Sequence, residues 1–270
     1  MMSKYFDYPD ADLVLRSSGP DNIVEFRVHR CILAAASPFF RHMFALPQDP
    51  FTSKQIPAVD VSESNTVLEM LLQFVYPIPD PPIATLDELT PVLAVAMKYD
   101  MTPAIASLRR LLMQPAFLEA DPTRVYAIAA RFDLEEEARL ASAHTLRVNV
   151  LELAPSDELR HISAYAYHKL LALHRTRAAA AQALLVLPED VKCMSCNGYT
   201  TFAVPRWWKD FEARAREELG ARPMSEVVCS LGFLARAAQT GCERCAGSIL
   251  DAHWWLERLR KGIDDLPSTI

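Results

Sequence analysis

Two C-x-x-C pairs near the C-terminus are the strongest chemical signal in this sequence. They are Cys193-Met-Ser-Cys196 and Cys242-Glu-Arg-Cys245, and turn formers flank both: Asn197-Gly198 follows the first and Gly241 precedes the second. Two such pairs supply four thiolates, the ligand set that tetrahedral structural zinc prefers. Cys193, Cys196, Cys242 and Cys245 are therefore predicted to hold one structural zinc ion.

Other interpretations of these cysteines remain open. The 45 residues between Cys196 and Cys242 exceed the usual spacing of a zinc site, so the ligands would have to meet across a helical insert. The thiols could instead be inert and packed in a core, or redox-active, although no βαβ pattern of the thioredoxin type surrounds them. His253 is a reserve ligand, while Cys31 and Cys229 lie on apolar helix faces and are predicted to pack.

Composition argues against an enzyme and against a nucleic-acid binder. The chain lacks G-x-S-x-G, P-loop and G-x-G-x-x-G motifs, and its 7 glycines are scattered. A Cys-only zinc site would have no open position for a water, so its role would be structural. The formal charge of −6 disfavours phosphate contacts, because nucleic-acid binders usually carry a basic surplus.

The sequence predicts an intracellular protein, cytoplasmic or nuclear, without membrane contact. Residues 1–12 contain no apolar core segment of a secretory signal. The longest apolar run, Ala178 to Leu187, is interrupted by Gln182 and is shorter than the ~20 residues of a spanning helix. In a reducing compartment, cysteines are thiols or metal ligands rather than disulfides.

The elements that must position these residues fall into three predicted regions of an α+β chain. Residues 8–118 mix strand and helix signals, residues 119–187 are helical without a strand signal, and residues 188–262 form a helical unit rich in Cys and Trp. The predicted strands are Asp12–Arg16, Val24–Val28 and Ile56–Val61. The predicted helices are two short ones in Cys31–Phe44 broken at Ser37-Pro38, then Ser62–Tyr76, Leu86–Tyr99, Pro103–Met113, Pro122–Arg131, Leu134–Val148, Asp157–Leu185 capped by Ser156, Trp207–Leu219 and Met224–Thr240. The pairs Trp207-Trp208 and Trp254-Trp255 are predicted to pack in the core of the third region.

The segment from His29 to Phe44 resembles the signature of the BTB/POZ family. The matching residues are His29, Arg30, Leu33, Ser37, Phe40, Met43 and Phe44. The two strands before it and the helix ending in Phe74-Val75-Tyr76 also stand where the family has them, so the resemblance covers residues 8–118. It implies a small mixed sheet with helices, followed here by an all-α extension. As a whole, the architecture resembles the single-module BTB proteins numerous in fungi.

The signature residues also have a physical interpretation. His29 is predicted to be a structural histidine bonded to Asp12 or to the backbone, and Ser37 to cap the helix that begins at Pro38. Leu33, Phe40, Met43 and Phe44 are predicted core residues.

The resemblance implies a protein-interaction module that forms homodimers and recruits or scaffolds protein partners. Many family members associate through the first helix and strand region, many deliver substrates to a cullin-type ubiquitin ligase, and others regulate transcription. Recruiting members often carry an apolar-x-Glu element after Met-Phe, whereas Ala45–Ser53 contains no Glu. Tyr76 is followed by Pro-Ile-Pro-Asp-Pro instead of a short Thr-Gly turn. These departures favour a scaffold over a cullin adaptor.

Overall fold

The computed structural model describes residues 2–18, 23–47, 56–154, 156–189, 191–251 and 253–270. The chain divides into two compact units, residues 1–120 and residues 121–270. The three-region division at residues 118 and 187 stays a prediction.

The first unit contains a four-stranded mixed sheet. Its strands are β1 (Met2–Asp7), β2 (Leu13–Arg16), β3 (Glu25–Val28) and β4 (Ala58–Asp60), in the spatial order β1-β3-β2-β4. β2 and β3 form the predicted antiparallel hairpin, with Leu13 opposite Val28. β4 joins β2 and β1 joins β3, both in parallel.

Strand β1 lies in residues 1–12, where the sequence predicted no apolar core segment. Phe6 is fully buried there, with its ring 5.2 Å from that of Tyr76 and 6.1 Å from that of Phe26. The strand escapes prediction because its pairing register shifts between Met2 and Asp7, so buried and exposed residues do not alternate with period two. The packing of Phe6 therefore connects this strand to the core, without a longer apolar segment.

Six helices lie in the described part of the first unit. They are α1 (Arg30–Ala36), α2 (Pro38–Ala45), α3 (Asn65–Gln73), α4 (Leu86–Lys98), α5 (Thr102–Leu112) and α6 (Pro115–Ala120). The predicted break at Ser37 is confirmed. Its hydroxyl accepts a hydrogen bond from the N–H of Phe40 at 3.0 Å and donates one to the carbonyl of Tyr99 at 2.5 Å, so one serine both caps α2 and ties it to α4.

His29 has partners other than the predicted ones. Asp12 accepts a hydrogen bond from the backbone N–H of Arg30 at 2.7 Å, so it caps the start of α1 instead of bonding the imidazole. The His29 ring has Nε2 3.3 Å from Oδ1 of Asp10, and its backbone N–H donates to the hydroxyl of Tyr76 at 2.7 Å. The histidine is structural, but its ring contacts the turn before β2.

The predicted core of the signature segment is half right. Leu33 and Phe40 are buried, whereas Met43 and Phe44 are only half-buried and Cys31 is exposed. The last turn of α2 thus faces partly away from the core, and the prediction that Cys31 packs is wrong.

The second unit is helical. Its helices are α7 (Pro122–Arg131), α8 (Glu135–Thr145), α9 (Ala164–Ala183), α10 (Arg206–Ala221), α11 (Ser225–Val228), α12 (Leu231–Ala238), α13 (Ser248–Asp251) and α14 (His253–Asp264), with a 3-10 helix at Asp157–His161. α7 has the predicted limits, with Asp121 accepting a hydrogen bond from the N–H of Arg124.

Two predicted helices of this unit are broken in the structure. Residues 157–185 do not form one helix capped by Ser156, because Ser163 accepts from the N–H of Ala166 at 3.0 Å and starts α9 there. The predicted Met224–Thr240 helix is likewise broken where Ser230 caps α12. Serine caps within apolar segments therefore override helix patterns that continue across them.

Three of the four tryptophans form the core of the second unit. Trp208 lies between Trp207 and Trp255, with ring centroids 6.1 and 5.1 Å away, and Phe211 packs beside it at 5.7 Å. The indole N–H of Trp255 donates to the carbonyl of Val186 at 2.8 Å. Trp254 is 42% exposed, so the packing prediction is wrong for this one residue.

A buried histidine in α9 makes the second unit sensitive to acid. Burial lowers the pKa of His174 from 6.5 to about 4, so its imidazole is neutral in the folded chain. Between pH 6.5 and 4 the histidine is protonated in the unfolded chain but not in the folded one. The free energy of unfolding therefore has its full value above pH 6.5 and decreases as the pH falls towards 4. We expect His174→Gln to reduce this loss by up to about 3 kcal/mol, measured as urea unfolding of both proteins from pH 7.5 to 4.5. Identical pH profiles would contradict the prediction.

Candidate metal centre

The structure brings the two C-x-x-C pairs together in the second unit. The Sγ atoms of Cys193, Cys196, Cys242 and Cys245 all lie within 4.8 Å of one another. Cys193 and Cys242 are 3.6 Å apart, and Cys196 and Cys245 are 3.2 Å apart. These separations are too long for disulfides, in which the sulfurs lie ~2.05 Å apart. They are close to the ~3.8 Å edge of a tetrahedron with zinc–sulfur bonds of ~2.3 Å.

The first pair lies on a tight turn. The backbone of Cys193 bridges to Ala203, its N–H donating to the Ala203 carbonyl at 2.8 Å. A 3-10 turn at Ser195–Asn197 then folds the chain back, and the N–H of Cys196 donates to Sγ of Cys193 at 3.4 Å. Gly198 follows with φ +69°, a left-handed conformation that glycine adopts without strain.

The second pair follows α12. The N–H groups of Cys245 and Ala246 both donate to the carbonyl of Cys242, and the N–H of Cys242 donates to Sγ of Cys245 at 3.4 Å. A Cβ atom at Gly241 would lie 3.0 Å from the carbonyl of Ala238 and 3.0 Å from Cα of Ala246. This close backbone approach explains why glycine precedes the second knuckle.

Electrostatics at the cluster favour a mixture of thiol and thiolate in the absence of a cation. Burial raises the pKa of Cys242, but N–H groups of Arg244 and Cys245 together with neighbouring thiols outweigh it and lower that pKa to about 6. Burial and the thiol of Cys196 raise the pKa of Cys245. A soft divalent cation would allow all four sulfurs to be thiolates, because it offsets their mutual repulsion.

The cluster is continuous with the aromatic core. Cys193, Cys196 and Cys245 are buried in the same hydrophobic cluster as the tryptophans. The indole N–H of Trp207 donates to Oγ of Ser248 at 3.0 Å, and that hydroxyl donates to the carbonyl of Cys245 at 2.7 Å. This link was not predicted, because a serine three residues beyond a cysteine carries no recognisable signal in the sequence.

The remaining candidate residues lie elsewhere. His253 is exposed and is not part of the four-sulfur group. Cys229 is half-buried against the hydrophobic cluster, as predicted, and burial raises its pKa to about 11. None of the helices in the described parts of the chain has both the length and the apolar character needed to span a bilayer.

Comparison with known proteins identifies the first unit. Residues 4–115 match the BTB/POZ domain family model. The chain is 31% identical over 210 residues to Kelch-like ECH-associated protein 1A of Danio rerio, covering 76% of this chain and 31% of that protein. It is 28% identical over 138 residues to Kelch repeat and BTB domain-containing protein 4 of Mus musculus, covering 51% of this chain and 25% of the relative.

These similarities have a defined extent. An alignment that covers 76% of the chain runs beyond residue 115 into the helical second unit. The chain nevertheless spans less than a third of either relative's length. The signature from His29 to Phe44, the mixed sheet with its surrounding helices and the family match agree: residues 4–115 belong to the BTB/POZ family, a family of protein-interaction modules.

Proposed function

We propose that this chain is a non-enzymatic scaffold that self-associates through its BTB/POZ unit and recruits protein partners. The observation that carries the proposal is the free edge of the sheet. β1 is an end strand, and no strand of the described residues pairs with its outer backbone groups, which could therefore pair with another chain. Family members associate through the same region of first strand and first helix.

Exposed side chains on β1 and on α1 suit a protein contact. Tyr5 on β1 is 53% exposed, and tyrosine is among the residues enriched at the centres of interfaces. Cys31 and Ala35 on α1 are also exposed, and their small side chains would allow close approach of a second helix. β1 therefore offers one exposed aromatic residue, and α1 offers exposed small side chains.

Self-association is testable on the full chain. We expect sedimentation equilibrium at micromolar concentration to give twice the 30.3 kDa chain mass. Tyr5→Asp should weaken the dimer more than tenfold, because loss of an interface anchor costs ~2 kcal/mol or more. Tyr165→Asp is the control, since Tyr165 is also exposed but lies on α9. A mass of 30.3 kDa at all concentrations, or equal effects of the two substitutions, would contradict self-association through β1. Recruitment of other proteins would then be the remaining function.

Recruitment of a cullin-type ligase is the alternative function, and we expect it to be weak or absent. The support is the sequence of Ala45–Ser53, which lacks the apolar-x-Glu element, and the prolines after Tyr76. Residues 48–55, including Phe51 as a substitute anchor, lie outside the described residues. Calorimetric titration with a purified cullin N-terminal domain decides the point: submicromolar affinity that Phe51→Ala abolishes would establish the adaptor function instead.

A BTB-type transcriptional regulator is disfavoured by the charge of −6.

We also propose that Cys193, Cys196, Cys242 and Cys245 hold one structural zinc ion. The proximity of the four sulfurs supports this, as does their burial beside the aromatic core. The site would be closed, with all four positions filled by protein, so the metal would stabilise the fold. Metal analysis of protein purified under reducing conditions should give close to one equivalent of zinc, unchanged in Cys31→Ser and strongly reduced in Cys242→Ser.

A further inference from the structure

The second unit contains a cavity of about 480 Å³ that the proposed function does not use. It lies between α9, the end of α10 and residues 149–151, which follow α8. Apolar residues provide most of its wall, among them Val150, Leu171 and Ala178. Small-molecule sites typically have ~300–1,000 Å³, mostly apolar walls and a few placed polar groups.

His174 supplies such a polar group. Its side chain lines the cavity although the residue is only 8% exposed, and its Nε2 lies 2.9 Å from Oγ1 of Thr145. Thr145 donates its single hydroxyl proton to the carbonyl of Ser142 at 2.6 Å, so its oxygen must accept from Nε2–H of His174. The remaining lone pair is therefore on Nδ1, which has no hydrogen-bond partner among the described residues.

Small residues line the part of the cavity between α9 and α10. Ala178 and Ala179 on α9 face Gly220 and Ala221 at the end of α10. A Cβ atom at Gly220 would meet only the flexible end of Gln182, at 3.2 Å. Glycine in a helix is less stable than alanine by ~1 kcal/mol. Nothing in the packing at this position requires glycine, but a larger side chain there would occupy the cavity.

We propose that this cavity binds an aromatic group carrying one hydrogen-bond donor, of the phenol or indole type, with the donor on Nδ1 of His174. An acceptor without a hydrogen-bond partner among the described residues favours a donor over a purely apolar ligand. Arg175 also lines the cavity, so an ammonium group would meet a like charge there, and a carboxylate offers only acceptor atoms to Nδ1. The low pKa of His174 keeps the imidazole neutral and accepting at neutral pH.

The test compares two ligands that differ only in the donor. We expect p-cresol to bind the full chain saturably, with a Kd of ~1 mM or tighter, in calorimetric or NMR titration. Toluene should bind at least ~fivefold more weakly, because it leaves Nδ1 without a partner. With 15N-histidine labelling, the Nδ1 signal that is missing in His174→Phe should shift with p-cresol and stay in place with toluene.

Two variants tie binding to this cavity. Gly220→Leu should remove p-cresol binding while retaining the fold, because the position is exposed on a helix end and meets only a flexible side chain. His174→Phe should bind p-cresol and toluene equally. Equal affinity of the two ligands in the unsubstituted chain, no saturable binding of either, or unchanged binding in Gly220→Leu would overturn the proposal.

A third ligand distinguishes the natural source of the aromatic group. N-acetyl-tyrosinamide carries the same phenol on a peptide backbone. Binding comparable to that of p-cresol would assign the site to a tyrosine side chain of a partner protein, whereas binding of p-cresol alone would assign it to a free small molecule. None of these measurements depends on self-association of the BTB/POZ unit.

Discussion

Replacing Cys242 with serine is expected to destabilise the second unit by ~3 kcal/mol or more, because structural zinc contributes its binding energy to folding. The four ligands come from segments separated by 45 residues of sequence, so the metal would join the loop before α10 to the loop after α12. Losing one thiolate opens this connection. It also leaves three buried thiols crowded together without a cation.

The chain provides a selective readout for this effect. All four tryptophans lie in residues 207–255, so their fluorescence reports unfolding of the second unit alone. In urea unfolding followed by tryptophan fluorescence, Cys242→Ser should shift the transition strongly, and exposed Cys31→Ser should leave it unchanged. A chelator should lower the stability of the unsubstituted chain to that of Cys242→Ser without affecting the variant.

A double substitution separates metal binding from ordinary packing. If Cys193 and Cys242 act only as independent core side chains, the costs of Cys193→Ser and Cys242→Ser should add. If both hold one ion, the double variant should be little less stable than either single variant, because the first substitution already releases the metal. Additive costs together with metal-free protein would contradict the zinc site.

Local signals made much of this fold predictable. Asp121-Pro122 marked the start of α7, and Ser37-Pro38 marked the break between α1 and α2, because caps and proline act through residues three or four positions away. The C-x-x-C pairs are equally local, and each predicts its own knuckle. We inferred that the two C-x-x-C pairs meet because one zinc ion needs four ligands. The proximity of the four sulfurs supports this inference.

What the sequence did not reveal depends on distant partners. In β1, Phe6 is the buried hydrophobic residue and the parallel partner strand lies 20 to 23 residues further along the chain, so no periodic pattern marks the strand. The helical spacing of residues 157–185 predicts an apolar stripe of Leu159, Ile162, Ala166, Leu170 and Leu173, but only Leu170 is fully buried and the other four are half-buried. Helix α9 buries two polar residues instead, His174 and Arg177, whose partners lie on other elements and could not be read from helical spacing.

Arg177 is the clearest case, because its guanidinium binds four backbone carbonyls, one after α10 and three at and beyond the end of α14. Nε donates to Pro223 at 2.9 Å, Nη2 donates to Ile263 at 2.8 Å, and Nη1 donates to Pro267 at 3.0 Å and also to Leu266. One side chain thereby connects α9 to the loop after α10 and to the C-terminal end of α14. A cation is favoured there because carbonyl groups at a helix C-terminus carry partial negative charge.

Arg177→Met is therefore expected to cost ~3 kcal/mol of second-unit stability, the scale set by leaving several buried carbonyls unsatisfied. Methionine keeps much of the apolar volume of the side chain. Removing the buried charge also removes its desolvation cost, which is visible as a lowered pKa of Arg177, but this gain offsets only part of the free energy lost with the hydrogen bonds. Arg175→Met is the matched control on the same helix, because Arg175 is exposed and its replacement should change stability by ~0.5 kcal/mol or less. Arg177→Lys should lie between the two, because an ammonium group retains the charge but has three donors and no planar fork to reach separate carbonyls. Urea unfolding followed by tryptophan fluorescence measures all three variants, and equal midpoints for Arg177→Met and Arg175→Met would show that the carbonyl contacts contribute nothing to folding.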